Sequence, residues 1–550
     1  MNQKSVIIWA FAGILIIYFL NLFIDVMEVD AAQYASISLE MLRNGSYLQV
    51  FHRNADYLDK PPMLFWLAVL SFKIFGVSTW AYKLPAVLAL IAGIYATFGL
   101  GKILYNAKIG IYAALILATT QALFLITNDV RTDGILLAFC VLAIWQYVEY
   151  QYNRKLFSLL LSGIFLAAAL MSKGPIALII FLSAIGTHFL VHKNWKGIFD
   201  FKWFFYFLFV LLLLLPMCYG LYQQFDLHPE KIVYDLKGPS GVKFFFWTQS
   251  FGRITGDIYW ANNTSFFTFF HTFLWDFQPW ALLAIIAFVY KLIRLKNTFS
   301  GNSKEEFLSF GAFLFPFIAL SLSKFRLPHY IFPLFPYMSI ILAQFIVEKL
   351  NTVKYKKLLL NFQFGLLHVF YLALILSYFY FFDVNNYIAP ILLLIGIVGF
   401  YYVFFHKKLE TSTKILMISI ITSIAFALNM STYFYPQLLE YQSESILGKE
   451  IGAGKIDKEK VYCLNTTGHS LDFYGRKIFK NIDTLQVKSL PKGSLIFADE
   501  IGKNALILQQ EYIIKRIFED YPVTQLNINF LKKSTRNKKV KFQYLLEKVK

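Results

Sequence analysis

Ile7-Ile8-Trp9-Ala10-Phe11-Ala12-Gly13-Ile14-Leu15-Ile16-Ile17-Tyr18-Phe19-Leu20 carries no charge, and Glu28-Val29-Asp30-Ala31-Ala32-Gln33-Tyr34 follows close behind it. An apolar run of about 20 residues crosses a bilayer at ~1.5 Å per residue. Ionisable groups are costly beside lipid, so acids gathered at the edge of such a run mark a functional site by default. A second group, Leu58-Asp59-Lys60-Pro61-Pro62, comes roughly one helix and one loop later. The pattern points to a membrane enzyme whose active site opens at one membrane edge.

Composition sets the class. The 550 residues are 57% hydrophobic, 19% aromatic and only 15% charged, below the ~25% charged residues of soluble domains. Apolar windows fall at 6–24, 83–101, 109–127, 132–150, 157–171, 174–191, 203–222, 266–290, 307–322, 329–348, 358–380, 387–405 and 414–434. The expected fold is an all-α polytopic membrane protein with about thirteen transmembrane helices. Stretches 32–42 and 62–75 suit helices lying in the interface within the first outer loop. The first window lacks a small-x-small cleavage site before Asp25, so it reads as an uncleaved first helix. Cys140 and Cys218 lie in apolar windows and Cys463 stands alone, which gives no disulfide framework.

The net charge of +19 raises the question of nucleic acid. The basic residues answer it, because they collect in alternate short connections: Lys102 and Lys108, Arg154 and Lys155, Lys193 and Lys196, Lys291 and Arg294, Lys349 and Lys354, Lys407 and Lys408. There they set orientation and meet lipid headgroups, and no nucleic-acid partner is expected. By the positive-inside rule the amino terminus is cytoplasmic and the carboxyl terminus lies outside. The outer set then holds the first loop, Asn128-Asp129-Val130-Arg131-Thr132-Asp133, Lys173, the long loop with Arg253 and Asp257, and Ser323-Lys324-Phe325-Arg326-Leu327-Pro328-His329-Tyr330. Cations and carboxylates converging at one interface suit a phosphate-bearing lipid substrate.

These motifs, in this order and at these span ends, resemble the GT-C superfamily of membrane glycosyltransferases. They are Asp-x-x-Gln-Tyr-Ala, Asp-Lys-Pro-Pro, Arg-Thr-Asp, Ser-Lys-Gly-Pro and a Leu-Pro-His-Tyr turn, spread over roughly 25–340. Within the superfamily the chain is most similar to the aminoarabinose–lipid A transferase branch, related to protein O-mannosyltransferases. The resemblance implies a polyprenyl-phosphate-linked sugar donor and a lipid A-type, glycan or protein acceptor at the outer face of the inner membrane. It implies Asp30 as the catalytic carboxylate, assisted by Asp133, with Lys60, Lys173, Arg253 and Tyr330 at the donor phosphate; Lys324, by its charge and place in the outer set, is expected to add to that phosphate site. It also leaves open a divalent metal ion held by Asp59. By their own sequence positions, Asp30 and Asp133 could equally cap the helices that follow them, and Tyr330 could be a belt aromatic. The first loop departs from the family pattern, with Ala31 where a Glu is common and Gln33 where an Arg is common. His228 and His271 lie in or near the long outer loop without clear ligand spacing.

Past residue 435 the chain turns polar. Runs at 461–464, 494–498 and 505–508 read as short strands, which divides the chain into a membrane domain (1–435) and a small periplasmic α/β domain (436–550). A transporter would place charges at mid-span and show inverted repeats; the charges here sit at span ends.

Overall fold

The computed structural model describes residues 3–249, 252, 262, 264–301, 305–508 and 511–550. The first part of the chain folds as α1 (Gln3–Asn21), α2 (Asp30–Asn44), α3 (Met63–Phe75), α4 (Thr79–Leu104), α5 (Ala107–Ala118), α6 (Gln121–Asn128), α7 (Thr132–Asn153), α8 (Leu156–Lys173) and α9 (Ile176–Val191). Their ends follow local chemistry. Ser78 and Asn106 accept from the N–H of Ala81 (3.4 Å) and Ile109 (3.0 Å), which starts α4 and α5. Gly45, at φ +66°, closes α2 by donating to the Met41 carbonyl at 3.1 Å. Where α4 meets α5 the contact is almost backbone to backbone: a Cβ on Gly110 would lie 2.5 Å from the Phe98 carbonyl. Small residues permit that approach, the usual source of helix association in a membrane.

Among the described residues, eight helical stretches are long and apolar enough to span a membrane, and two bent pairs raise this to ten. Helices Ile7–Asn21, Ile176–Val191 and Leu308–Leu322 are apolar but shorter. Two windows expected as single spans are broken. Residues 266–290 form Thr268–Asp276 and Ala281–Phe299, turned 117° at a break holding Pro279, whose ring disfavours helix at the residue before it. Residues 109–127 bend 53° between α5 and α6. There the Thr119 and Thr120 hydroxyls donate back to the carbonyls of Leu115 (2.6 Å) and Leu117 (2.8 Å), a bond that competes with the helix ladder.

The segment after α1 is held by α4. Buried Lys83 donates to the carbonyls of Asn21 (3.1 Å) and Asp25 (3.4 Å). Next, α2 and α3 pack on each other through Ala31, Tyr34, Ile37, Phe65 and Phe72, with Phe473 from far along the chain in the same cluster. Between them lies a hairpin of β1 (Phe51–His52) and β2 (Ala55–Asp56); a second, β3 (Ile232–Val233) with β4 (Leu236–Lys237), sits in the later loop.

Residues past 442 carry β5 (Val461–Leu464), β6 (Leu495–Ala498), β7 (Tyr512–Asp520) and β8 (Lys541–Lys548) in the order β5-β6-β8-β7, with only β5–β6 parallel. The expected strand at 505–508 is instead the end of helix Glu500–Ile507, because Asp499 caps it by accepting from Gly502 N–H at 2.7 Å. This sheet region docks on the β1–β2 hairpin. Arg53 Nε lies 3.2 Å from Asp472, and Arg53 also donates to the Phe479 carbonyl at 2.6 Å. The rings of His52 and His469 meet 4.9 Å apart.

Burial, with His52 and Arg53 nearby, pushes the His469 imidazole down to about 3. A histidine lowered in the fold contributes stability that is present above its unfolded value near 6.5 and is lost as pH falls toward 3. Buried Glu28 and Glu444, held above the usual carboxyl range by burial, act in the opposite sense. Comparison with His469→Gln cancels their effect. Between pH 7 and 5 the intact chain should lose about 2 kcal/mol more stability than the variant, read as protease resistance of the docked segment; parallel pH profiles would contradict this.

Candidate active site

The acids singled out in the sequence do not cap helices. Asp30 is the first residue of α2, but that helix has no side-chain cap bond, and the Asp30 carboxylate pairs with the Arg131 guanidinium. Arg131 reaches back as well, its Nε 2.6 Å from Asp129 Oδ2. One guanidinium therefore joins the start of α2 to the connection between α6 and α7. Burial pushes the Asp129 carboxyl up, opposed by Arg131. The two neighbouring carboxylates in turn hold Arg131 above its ordinary value against burial.

Asp133, in the first turn of α7, also turns away from its own helix end. It pairs with Lys173 at the end of α8, and its other oxygen lies 3.7 Å from His329 Nε2. The Asp133 side chain is 2% exposed and that of Lys173 11%, so the two charges depend on each other. Lys173 Nζ stands 3.6 Å over the centre of the Tyr330 ring, a cation–π contact. His329 and Tyr330 sit on the 3₁₀ turn Pro328–Leu334, where Pro328 at the turn's start fits the fixed φ of proline.

The third part comes from the turn before α3. Lys60 pairs with Asp59, and the Gln249 amide donates to the Asp59 carbonyl. Lys60 and Pro62 border a narrow cleft whose walls include Tyr57, Met217, Leu221 and Phe245. These parts share one electrostatic environment. Buried Tyr34 feels Asp30, Asp59, Arg131 and Asp133, and the charges of Arg131, Lys173 and Lys60 all act on His329.

Not every expected residue joins. Lys324 is exposed; its carbonyl accepts from Asn262 N–H at 3.2 Å, and no described group pairs with its ammonium. Arg253 lies outside the described residues. His228 is exposed and meets Glu230 at 2.9 Å, away from Asp59. Among the described residues no group of three or more His, Cys, Asp or Glu is placed to hold a metal. Asp59, engaged by a lysine and by a carbonyl-bound glutamine, does not fit a ligand set, and no chemical step is derived through a metal.

Three members of the cluster, Asp129, Arg131 and His329, carry no role by the sequence alone. Arg131 carried a readable signal, since it stands two residues from Asp129 and two from Asp133. His329 had none beyond its place beside Tyr330.

The dolichyl-phosphate-mannose-protein mannosyltransferase family matches residues 59–219. An uncharacterized protein of Aquifex aeolicus is 25% identical over 88% of this chain and 89% of its own length. The undecaprenyl phosphate-alpha-4-amino-4-deoxy-L-arabinose arabinosyl transferase of Edwardsiella ictaluri is 25% identical over 61% of this chain. The chain spans 58% of that relative, and 59% of the similarly named protein of Proteus mirabilis. In fold, the crystal structure of ArnT from Cupriavidus metallidurans bound to undecaprenyl phosphate superposes with a TM-score of 0.75 at 15% identity, covering 99% of this chain and 98% of that one. In sequence and in fold, the chain resembles the aminoarabinose transferases among the GT-C membrane glycosyltransferases.

Proposed function

We propose that this protein transfers a sugar from a polyprenyl-phosphate-linked donor to a lipid A-type or other envelope acceptor at the outer face of a bacterial inner membrane. The observation that carries the reading is the juxtaposition of Asp30–Arg131–Asp129 and Asp133–Lys173–Tyr330 with Lys60 at the ends of apolar helices. Relatives named for undecaprenyl phosphate, and an ArnT structure holding it, support a lipid-linked donor. The same reading takes the thirteen apolar windows as thirteen spans, the amino terminus as cytoplasmic, and 436–550 as a separate periplasmic domain. The alternating basic connections and the confinement of the four-stranded sheet to residues past 460 support it.

The chemistry follows from charge. Breaking the sugar–phosphate bond leaves negative charge on the lipid phosphate, which Lys60 and Lys173 would neutralise where water is scarce. In the resting arrangement both lysines are held by Asp59 and Asp133. A donor phosphate would compete for the same ammonium groups, and the apolar walls beside Lys60 suit the first units of a polyprenyl chain. Asp30 would accept the acceptor's proton or orient it. Arg131 holds the Asp30 carboxylate fixed in direction, and an acceptor that is itself a phosphate needs orientation more than a strong base. Lys324 and Arg253 would act as outer contacts to phosphate.

A protein acceptor is the second reading, favoured by the family match over 59–219. Mass spectrometry of lipid A and of envelope glycoproteins, with and without this protein, separates the two. A sugar lost from lipid A supports the first reading, and one lost from glycoproteins the second.

Asp30→Asn retains size and polarity. Because Asp30 caps nothing, the change should leave the fold intact and slow turnover about 10²-fold or more, assayed on purified protein with a polyprenyl-phosphate sugar. Wild-type turnover would move the catalytic acid to Asp133. Lys60→Gln should raise the donor KM on the order of tenfold, the weight of one charge-assisted bond; an unchanged KM would remove Lys60 from the phosphate site. Arg131→Ala strands a buried Asp129, so it should cost about 2–4 kcal/mol. Adding Asp129→Asn should restore part of that loss, measured by thermal unfolding in detergent.

A further inference from the structure

The helices that carry the candidate site also frame a cavity at their opposite ends. From Asp133 to Gln151 along α7 is about 27 Å at 1.5 Å per residue, close to the thickness of a hydrocarbon core. At that far end a cavity of about 530 Å³ is bordered by the end of α4 (Leu104), by Gln151 on α7, by His188 on α9 and by Lys349 beyond helix Phe335–Gln344. The near ends of α7 and α9 and the turn before Phe335 carry or adjoin Asp133, Lys173 and Tyr330. The cavity is thus a second polar chamber on the same bundle, separate from the reaction.

Its floor is a closed charge network. Buried Lys291 lies 3.3 Å from Glu305 and 3.2 Å from Glu306, and Arg294 Nε lies 2.7 Å from Glu305. Tyr105 donates to Glu306 at 2.7 Å. These acids and bases neutralise each other, which leaves Glu348 and Lys349, adjacent in sequence and opposite in sign, at the wall. Glu348 accepts only a long 3.3 Å bond from Gln344, and no described carboxylate pairs with Lys349. His188 contributes a buried Nδ1 with no hydrogen-bond partner. The volume falls in the range of small-molecule sites, ~300–1,000 Å³.

We propose that this cavity binds a zwitterionic phosphate–ammonium group, as carried by an aminophospholipid headgroup. A plain anion would meet Glu348, and a plain cation would meet Lys349; a group of both signs satisfies both. The exposed Tyr152 ring offers an ammonium a further contact. The surroundings favour a lipid as its carrier. Asn194 in the wall leads directly into the short helix Trp195–Ile198, where Trp195, Phe199 and Phe201 are 56%, 79% and 71% exposed. Aromatics so exposed suit the headgroup level of a bilayer.

The test uses the full chain, purified and stripped of lipid, with native mass spectrometry. The probes are a phosphatidylethanolamine, a phosphatidylglycerol of the same acyl chains, and soluble phosphoethanolamine. Phosphatidylethanolamine should be retained on the order of tenfold better than phosphatidylglycerol, and E348Q/K349Q should abolish that preference at an unchanged unfolding temperature. Should the double variant fold poorly, Tyr152→Ala, at an exposed rim position, should weaken retention in the same direction. Binding of phosphoethanolamine as tight as the lipid would support the headgroup chemistry with a free zwitterion as its source. Equal retention of the two lipids, or a preference surviving both variants, would overturn the proposal.

Discussion

A carboxylate at the edge of a bilayer has little water to solvate it, so its charge persists only beside a fixed cation. In this protein two such partners arrive from elsewhere in the chain. Arg131 reaches Asp30 across about a hundred residues of sequence, and Lys173 reaches Asp133 from the end of the next helix. The helices are thereby fixed at these ends by the same contacts that assemble the candidate site. Moving α2 or α8 relative to α7 would separate a buried charge from its partner. Folding and site geometry are enforced by one set of ion pairs.

Between those ends the bundle relies on close apolar packing. Gly101 against Gly110, and Gly93 against Ala138, bring α4 to α5 and to α7 at backbone distance. Such contacts tolerate no added methylene without a shift, so the helix ends are held in register by the bundle's middle. The docking of residues past 442 on the β1–β2 hairpin adds a second constraint on the first loop, since Arg53 ties that hairpin to Asp472. Asp30 is thus positioned from two directions, by α7 through Arg131 and by the loop's own packing against Phe473.

The helical windows and the acids at their ends were legible in the sequence because hydropathy and charge cost act locally. Asp30, Lys60, Asp133, Lys173 and Tyr330 stand at span ends, and the structure brings them together; their roles rest on the motifs of the resembled family. What local reading missed depends on distance through space. The choice between a cap and an ion pair for Asp30 turns on Arg131, which no spacing rule assigns to α2. The 117° turn at Pro279 and the bend at Thr119 were hidden inside windows whose mean hydropathy stays high. The helix at Glu500–Ile507 was mistaken for a strand because a short apolar run fits both periods, and its cap, Asp499, lay outside the run. Lys324 was chosen for its charge and position alone, and the described structure leaves it apart from the cluster.

The departure in the first loop has a physical resolution. With Gln33 in place of the arginine common in the resembled family, α2 brings no cation of its own beside Asp30, and with Ala31 it brings no second acid. The positive charge comes instead from Arg131, which is shared with Asp129. A cation on α2 would move with Asp30 as one rigid unit. A cation on the connection before α7 couples Asp30 to the segment that also presents Asp133 to Lys173. Any substrate that displaces Lys173 from Asp133 therefore acts, through three residues of backbone, on the arginine that orients Asp30. The Arg131-Thr132-Asp133 turn joins the ion pair that holds Asp30 to the one that holds Lys173.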